Sequence, residues 1–387
     1  MMWKKKKKRI FYQTSLSQKH KQEIRIQQQP ISIQACILGA FIGDAVGAYL
    51  EFKNQVFPEE IEKALTLEGG GSHNIGAAQV TDDSEMAMCL FQGLLSGKGK
   101  LDLDEIAKMY RKWYFSNPFD IGMTTHSALS ALDNKASSIY KSVKENNTQS
   151  QSNGCLMRIT PFAVWCSQLS NEDLYKAVHL ETHLTHCNKT AIDAVYLYCL
   201  TIRLILNGET DRVKIYDTIK LEANLIDSKD INGWIDELEQ GNLPDATYHI
   251  AWLKIGFISM LHYLKNSEIY DYETALRDIV SWGGDTDTNA AIVCGVMGAF
   301  LRRDQLNQDH VNKLLSFRCG SEEDQKKFKG IVRPLFLIPG LVLTEDEFEE
   351  FFEIIPKKLE VIYEGNLLND VELNELLSYL KPFVQVT

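Results

Sequence analysis

Two acidic motifs stand directly in front of apolar helical segments, at residues 80–85 and 282–289. A single Asp or Thr at such a place would cap the following helix by accepting hydrogen bonds from its first turn. Two carboxylates in each motif exceed what capping needs, and four of them packed together without a cation would be costly. Carboxylate and hydroxyl oxygens suit Mg²⁺, Ca²⁺ or Mn²⁺. The motifs therefore favour a two-metal oxygen site over two unrelated caps, and they supply Thr81, Asp82, Asp83, Asp285, Asp287 and Thr288.

A third motif, residues 37–52, combines small residues with two acids. Glycines recur every fourth residue at positions 39, 43 and 47, which predicts a helix face that packs closely against a neighbour. Asp44 stands in the middle of this apolar helix, where an acid is costly unless it is paired or ligates a metal. Glu51 follows seven residues later, on the same face if the helix continues. The two acids are therefore candidates for proton transfer.

His179, His183 and His186 form a fourth group at helical spacing. Imidazoles three and four residues apart can bind zinc from one helix face, so a zinc site is one interpretation. No Cys or carboxylate completes the set at a matching position. The alternative is that the three imidazoles are partly buried or contact a substrate.

The elements that must position these groups are helices. In residues 84–96 the apolar side chains recur at i, i+3, i+4, i+7 and i+8, and Gly97 ends the pattern. No alternating segment of useful length competes with such patterns, so the predicted fold class is all-α, a compact single-domain array of helices. Similar patterns predict further helices over 103–115, 174–183, 191–206, 251–264, 272–280 and 289–301.

The organisation along the chain has three parts. Residues 1–30 are basic and rich in Gln, which predicts a disordered tail. Residues 31–319 form the main helical domain, in which the polar stretches 133–153 and 226–245 are predicted as surface loops or insertions rather than domain boundaries. Residues 320–387 change in style and are predicted as a helical C-terminal appendage of unknown role.

The charge of the chain limits its partners. It has 387 residues, 41 basic against 52 acidic, and a net charge of -11. The tail holds nine Lys or Arg and one Glu, which leaves a body with 32 basic and 51 acidic residues and a net charge of -19. Such a body repels a phosphate backbone, so nucleic acid is excluded as a general partner. A phosphate-bearing ligand would need bound cations.

Cysteine usage and hydropathy bear on location. The eight cysteines contain no Cys-x-x-Cys pair and indicate reduced thiols of an intracellular, cytoplasmic protein. The basic run from Lys4 to Arg9 leaves nuclear targeting open. The longest uncharged apolar runs, 31–43 and 288–301, fall short of the roughly 20 residues that span a bilayer, so no membrane partner is expected. A monomer is expected.

Six motifs occur in the order in which the ADP-ribosylglycohydrolase family carries them, and the chain resembles that family over about residues 33–318. The motifs lie at 43–52, 81–84, 120–125, 152–158, 182–186 and 283–288. The family includes the dinitrogenase-reductase-activating glycohydrolase. The resemblance implies an all-α catalytic domain over residues 31–319, with two Mg²⁺ or Mn²⁺ ions at the bottom of a cleft.

The resemblance also implies a role for each residue at a matching position. The two metals would be held by Thr81, Asp82, Asp83, Asp285, Asp287 and Thr288. The diphosphate, the ribose and their surroundings would be contacted by Gly122, Thr124, Thr125, Asn153, Gly154, Cys155, Met157 and His186. Glu51 would activate water or the leaving group, and Asp120 would be the second acid/base group. Asp44 would support the metal shell.

The implied reaction is hydrolysis of the glycosidic bond between ADP-ribose and a modified protein side chain, through arginine or serine. One alternative is an ADP-ribose-binding or structural member without catalysis, like a lens-crystallin relative of the family, against which the intact Asp pairs argue. Another is a calcium-stabilised scaffold, against which the absence of EF-hand spacing argues. Ser152 and Cys155 depart from the residues that the family often carries in its phosphate-binding loop, so phosphate binding in this chain can differ from that of the family. Met123 departs from the residue of the nitrogenase-reactivating branch, which argues against a substrate shared with that branch.

Overall fold

The computed structural model describes residues 32–381, and within them the all-α prediction is confirmed. Helix α1 covers residues 32–47. The next helices are α2 (Pro58–Leu65), α3 (Asp82–Gly97), α4 (Leu103–Tyr114), α5 (Met123–Leu129), α6 (Ala136–Asn146), α7 (Thr160–Trp165), α8 (Asn171–Thr182) and α9 (Lys189–Leu206). They are followed by α10 (Arg212–Leu225), α11 (Lys229–Glu239), α12 (Leu253–Lys265), α13 (Tyr272–Ser281), α14 (Thr286–Ala299), α15 (Gln308–Ser316), α16 (Glu322–Phe328), α17 (Pro339–Val342), α18 (Glu345–Glu353) and α19 (Asp370–Leu380).

The centre of the fold is formed by α1, α9, α12 and α14, which are buried almost all round. The glycines of α1 lie against α14, as their spacing predicts. A Cβ on Gly43 would stand 2.5 Å from the backbone oxygen of Ala290, and one on Gly47 would stand 2.4 Å from that of Thr286. Because no side chain larger than hydrogen fits there, the two helices approach at backbone distance and hold the start of α14 beside the end of α1.

The seven helices predicted from apolar periodicity all exist, with ends displaced by a few residues. The two predicted loops are wrong, because each contains a helix. Helix α6 buries Ala136, Ile139, Tyr140 and Val143, and α11 buries Ile231, Trp234, Ile235 and Leu238. Both sets follow the i, i+3, i+4, i+7 spacing of a narrow buried stripe. The high polar content of the exposed faces concealed this stripe in the sequence.

The C-terminal part of the described chain packs onto the main helical array. A three-stranded sheet joins the two: β1 (Leu101–Asp102) pairs in parallel with β2 (Val361–Tyr363), which pairs antiparallel with β3 (Asn366–Leu367). Helix α18 sets Phe348 and Phe351 against Phe91 of α3, and the ring centroids of Phe91 and Phe351 are 4.3 Å apart. The predicted tail, residues 1–30, lies outside the described residues.

The structure bears on two further predictions, that the cysteines are reduced thiols and that the chain has no membrane partner. All eight cysteines are buried and unpaired. Between residues 32 and 381, no helix is both long and apolar enough to cross a membrane.

Candidate active site

The N-termini of α3 and α14 bring the two acidic motifs together. Asp82 and Asp83 open α3, while Asp285 precedes α14 and Asp287 lies in its first turn. The hydroxyl of Thr288 donates to Oδ2 of Asp83 over 3.3 Å, which links the two helix starts directly. The structure thus places residues about 200 positions apart in one buried centre.

Neither pair of aspartates is used as a helix cap. Thr81 and Asp285 occupy the N-cap positions of α3 and α14 without a side-chain capping bond. Asp44 of α1 serves α3 instead: its carboxylate accepts hydrogen bonds from the backbone N–H groups of Thr81 and Ser84, each over 3.1 Å. Burial raises the pKa of Asp44 to about 7 despite these bonds. Asp44 therefore caps α3 in place of Asp82 and Asp83. At α14, Asp287 accepts one bond from the first turn, from Thr288 N over 2.9 Å.

Asp83 has an unsatisfied oxygen in this centre. Its Oδ2 accepts from the hydroxyls of Thr81, over 3.2 Å, and Thr288. Its Oδ1 is buried and has no hydrogen-bond partner. A buried polar atom without a partner costs free energy unless an ion or water satisfies it. Burial, together with the charges of Asp44 and Asp285, raises the pKa of Asp83 well above its usual range.

Two further acids of the centre, Asp82 and Asp287, are also destabilised in their charged form. Burial, then the charge of Asp120, raises the pKa of Asp82 well above its usual range. Burial, then the charge of Glu51, does the same for Asp287. Within the described part of the chain, no Lys or Arg forms an ion pair with any of the four aspartates. A centre with this excess of negative charge and only oxygen donors fits hard divalent cations.

Two groups of side chains have ligand atoms close enough to share an ion. Glu51, Asp285 and Asp287 form one, and Glu51, His73 and Asp120 form the other, with all atoms of a group within 4.8 Å of one another. Glu51 belongs to both. The acidic clusters could therefore hold metal, and Glu51 stands between the aspartates of α14 on one side and Asp120 on the other.

Glu51 does not lie on α1. The helix ends at residue 47, and a turn carries the chain to Glu51, whose side chain is nevertheless only 4% exposed. The backbone next to it pairs with the acidic motif of α14: Phe52 N donates to Gly284 O and Gly284 N donates to Lys53 O, each over 2.8 Å. Gly283 and Gly284 both have φ of +71°, and a Cβ on Gly283 would collide with Lys53 O. Glycine is needed here for the close approach that sets Glu51 beside Asp285.

Asn153 connects the centre to a neighbouring loop, residues 150–155. Its Nδ2 donates to Oδ2 of Asp285 over 2.7 Å, and its backbone N–H donates to Ala251 O. Gly154 follows, and a Cβ there would stand 3.1 Å from the hydroxyl of Thr125. The loop is therefore held directly above the acidic centre, with a glycine where its backbone meets α5.

The residues predicted to contact substrate lie around this loop. Thr124 Oγ1 and Ser150 Oγ are 2.8 Å apart, and His186 Nε2 lies 2.8 Å from Ser152 Oγ. Burial lowers the pKa of His186 to about 3, so its imidazole is neutral at physiological pH. Asn147, which the sequence reasoning missed, donates through Nδ2 to Thr124 O and Thr185 O, each over 2.9 Å.

The remaining predicted substrate contacts differ in exposure. The side chains of Cys155 and Met157 are buried in the core, so only their backbone can face a ligand. Gly122 is exposed at the N-cap of α5, and nothing would obstruct a Cβ there. Met123 beside it is 90% exposed.

The three histidines of the alternative zinc site do not share a centre. Nδ1 of His183 lies 2.9 Å from the backbone oxygen of His179, while both nitrogens of His186 face hydroxyl groups. Burial lowers the pKa of His179 to about 4 and that of His183 to about 3. These imidazoles are therefore neutral core groups, and His186 also contacts the loop of residues 150–155 through Ser152.

The fold, the acidic centre and the similarity to known proteins define an enzyme class, hydrolases of the glycosyl bonds of ADP-ribose. The family model described as ADP-ribosylglycohydrolase matches residues 28–333, and the chain belongs to this family. The chain is thus an ADP-ribosyl glycohydrolase by family, as the ordered motifs predict.

Relatives agree with this assignment. A protein of Acanthamoeba polyphaga mimivirus named as an ADP-ribosyl glycohydrolase (L543) is 30% identical over 294 residues, which cover 68% of this chain and 84% of the viral protein. The chicken (Gallus gallus) protein named ADP-ribosylhydrolase ARH3 is 25% identical over 327 residues, 73% of this chain and 88% of its own. A solved structure named as an ADP-ribosylglycohydrolase-related protein complex has a TM-score of 0.59 at 20% identity over 82% of this chain and 98% of its own, so it shares the fold.

His73 is the main site residue that the sequence reasoning missed. Its Nε2 lies 2.7 Å from Oε2 of Glu51 and 3.9 Å from Oδ2 of Asp120. The sequence held a signal, because three consecutive glycines end two residues before His73, a pattern typical of a loop that lies close to other backbone.

Proposed function

We propose that this protein hydrolyses the glycosidic bond between ADP-ribose and a modified arginine or serine side chain of another protein, with two Mg²⁺ or Mn²⁺ ions as cofactors. The observation that carries the proposal is the convergence of the four aspartates with Glu51 and Asp120 in one acidic centre, beside the loop that holds Asn153. An acid/base pair beside cation ligands is the arrangement of groups that metal-assisted hydrolysis at an anomeric carbon uses.

The metal ligands in this proposal are Thr81, Asp82, Asp83, Asp285, Asp287 and Thr288. Two observations support the set: Asp83 Oδ1 is buried without a partner, and burial raises the pKa of Asp82, Asp83 and Asp287. When bound, the ions would neutralise these carboxylates, orient the ribose hydroxyls and a water, and attract the diphosphate. Asp44 would fix the start of α3 through its bonds to Thr81 and Ser84.

The acid/base roles fall to Glu51 and Asp120. Glu51 Oε2 is occupied by His73, so Oε1 would accept the proton of the attacking water. Burial raises the pKa of Asp120, whose side chain is 27% exposed, so this carboxyl can hold a proton and still reach the cleft. Asp120 would then protonate the departing side chain.

Substrate would be bound along the loop above the metal centre. The backbone of Asn153, Gly154, Cys155 and Met157 would cradle the diphosphate, since the side chains of Asn153, Cys155 and Met157 are buried. Gly122, Thr124 and Thr125 would line the adjacent pocket. Neutral His186 would hold Ser152 in place through its Nε2 contact.

The proposal also covers the binding partner of the protein and its location in the cell. The partner would be an ADP-ribosylated protein or an ADP-ribose conjugate, and the acidic body disfavours nucleic acid. We infer an intracellular location from eight buried cysteines that form no disulfide among the described residues.

The test uses arginine-linked and serine-linked ADP-ribosyl peptides, with Mg²⁺ or with a chelator, and free ADP-ribose measured by chromatography. Release from at least one peptide that depends on Mg²⁺ is expected. If neither peptide yields ADP-ribose in the presence of Mg²⁺, the proposal that the protein hydrolyses these substrates is wrong.

Glu51→Gln supplies the matched variant for the acid/base role. We expect calorimetric binding of Mg²⁺ and ADP-ribose to be retained while turnover falls by roughly 100-fold or more, because an amide cannot accept the proton of water. Full activity in this variant would remove Glu51 from the mechanism.

A further inference from the structure

The loop between α2 and α3, residues 69–76, closes over the segment that carries Glu51. Gly69, Gly70 and Gly71 have φ values of +79°, +101° and +71°. A Cβ on Gly71 would lie 2.6 Å from both Cα and O of Tyr49. The glycines therefore let the loop contact the backbone of Tyr49, two residues before Glu51, at a distance that no other residue type permits.

Two consecutive residues of this loop form hydrogen bonds with Glu51: Ser72 with its backbone and His73 with its carboxylate. Ser72 Oγ donates to Glu51 O over 2.6 Å. His73 Nε2 lies 2.7 Å from Glu51 Oε2, so the tautomer that carries the Nε2 proton donates to the carboxylate. The main chain of Glu51 and the rotation of its side chain are thus both constrained from the same side.

The imidazole of His73 is itself held in place. Its ring packs edge-on between the rings of Phe52 and Phe119, with both centroid distances 5.7 Å and both interplanar angles 63°. Phe52 adopts φ of +65°, a conformation that L-residues rarely take, and follows Glu51 directly. Phe119 directly precedes Asp120, so each aromatic clamp neighbours one of the two acids.

We propose that His73 is a positioning residue, which orients the Glu51 carboxylate for proton transfer through the Nε2 hydrogen bond. Glu51 is surrounded by carboxylates, since its ligand atoms lie within 4.8 Å of those of Asp285 and Asp287. A carboxylate without a fixed donor in such a place would turn toward bound cations or away from its neighbours. The bond from His73 holds Oε2 on the Asp120 side and leaves Oε1 for water. This inference rests on the proposed function.

The experiment compares His73→Leu, which keeps bulk but removes the donor, with His73→Gln, which keeps an N–H donor. On whichever peptide the wild-type protein hydrolyses, we expect His73→Leu to lower kcat by roughly 10- to 100-fold with KM changed less than about threefold. His73→Gln should recover part of the lost kcat. Asn74→Gly is the matched control, because Asn74 is exposed in the same loop at φ +53°, while the loop's hydrogen bonds to Glu51 come from Ser72 and His73.

A double variant separates positioning from general structural damage. In the Glu51→Gln background, His73→Leu should cause no further loss, because the group that it orients is already gone. Thermal melts and ADP-ribose binding by calorimetry report folding, and His73→Gln remains informative if His73→Leu does not fold. Unchanged kcat in His73→Leu, a rise in KM alone, or losses that simply add in the double variant would each overturn the inference. Wild-type protein that releases no ADP-ribose would instead contradict the proposed function.

Discussion

The first turn of α3 contains buried acids of two opposite kinds. Glu85 has both oxygens paired: Oε1 lies 2.7 Å from Arg333 Nε, while Oε2 lies 2.9 Å from Arg333 Nη2 and accepts from Trp113 Nε1 over 2.7 Å. Asp83, two residues earlier, has one oxygen bonded only to threonine hydroxyls and the other without a partner. The same helix turn therefore holds one buried acid that is paired with an arginine, although burial still raises its pKa, and one without a counter-ion, which fits a cation.

The difference between Glu85 and Asp83 shows which of the two buried acids links parts of the fold. Arg333 comes from the C-terminal part of the chain and also donates to the backbone oxygens of Ser116 and Asn117. It therefore connects that part to α3 and to the segment that follows α4. The aspartates receive no such partner from the described residues. The proposed cation-binding centre leaves these carboxylates without an internal counter-ion, which lowers the stability of the metal-free protein.

The largest expected effect comes from removing an uncompensated acid. Asp83→Ala or Asp285→Ala should abolish metal binding seen by calorimetry and lower ADP-ribose release by roughly 100-fold or more, because each carboxylate is proposed to hold a cation. Unchanged metal affinity in both variants would contradict the ligand assignment and weaken the contrast with Glu85.

Breaking the compensated pair should affect stability rather than chemistry. Arg333→Met leaves Glu85 buried without its cation and should lower the free energy of unfolding by about 3–5 kcal/mol in urea titrations. Adding Glu85→Leu to that variant should restore part of the loss, since no buried charge remains unpaired. A double variant that is as unstable as Arg333→Met would show that packing, not charge pairing, dominates here.

The pH dependence of the metal-free protein should reveal the uncompensated acids. Burial raises the pKa of Asp83, so its contribution to stability is full below the unfolded pKa of about 3.9 and is lost as pH rises through the folded pKa. In a chelator, Asp83→Asn should therefore gain stability relative to the wild type as pH rises from about 4 toward 8, measured by urea unfolding at each pH. A difference that stays constant with pH would mean that Asp83 does not titrate in this window.

The smallest effect is expected at an exposed pair. Lys176 and Glu172 lie 2.6 Å apart on α8, and Glu172 is 77% exposed. Water and salt screen such a pair, so Lys176→Gln should leave the urea midpoint and the activity unchanged. A clear loss of stability would show that solvent exposure does not separate weak ion pairs from strong ones in this protein.

Sequence reasoning reached the fold class and the position of the acidic motifs because both leave local patterns. Apolar periodicity predicted α3, α9 and α14, and the glycines at 39, 43 and 47 predicted a closely packed face of α1, whose partner in the structure is α14. The same reasoning failed for α6 and α11, whose buried stripes are narrow and whose exposed faces are highly polar.

The sequence by itself determined which residue types stand at the starts of two helices, and an ordered set of motifs assigned the family. Only the tertiary structure decided that Asp44 caps α3, that Asp83 Oδ1 has no partner, and that His73 lies against Glu51. The physical reason is that hydrogen bonds and electrostatic repulsion depend on distances in space. Residues far apart in the chain acquire those distances only when the helices pack.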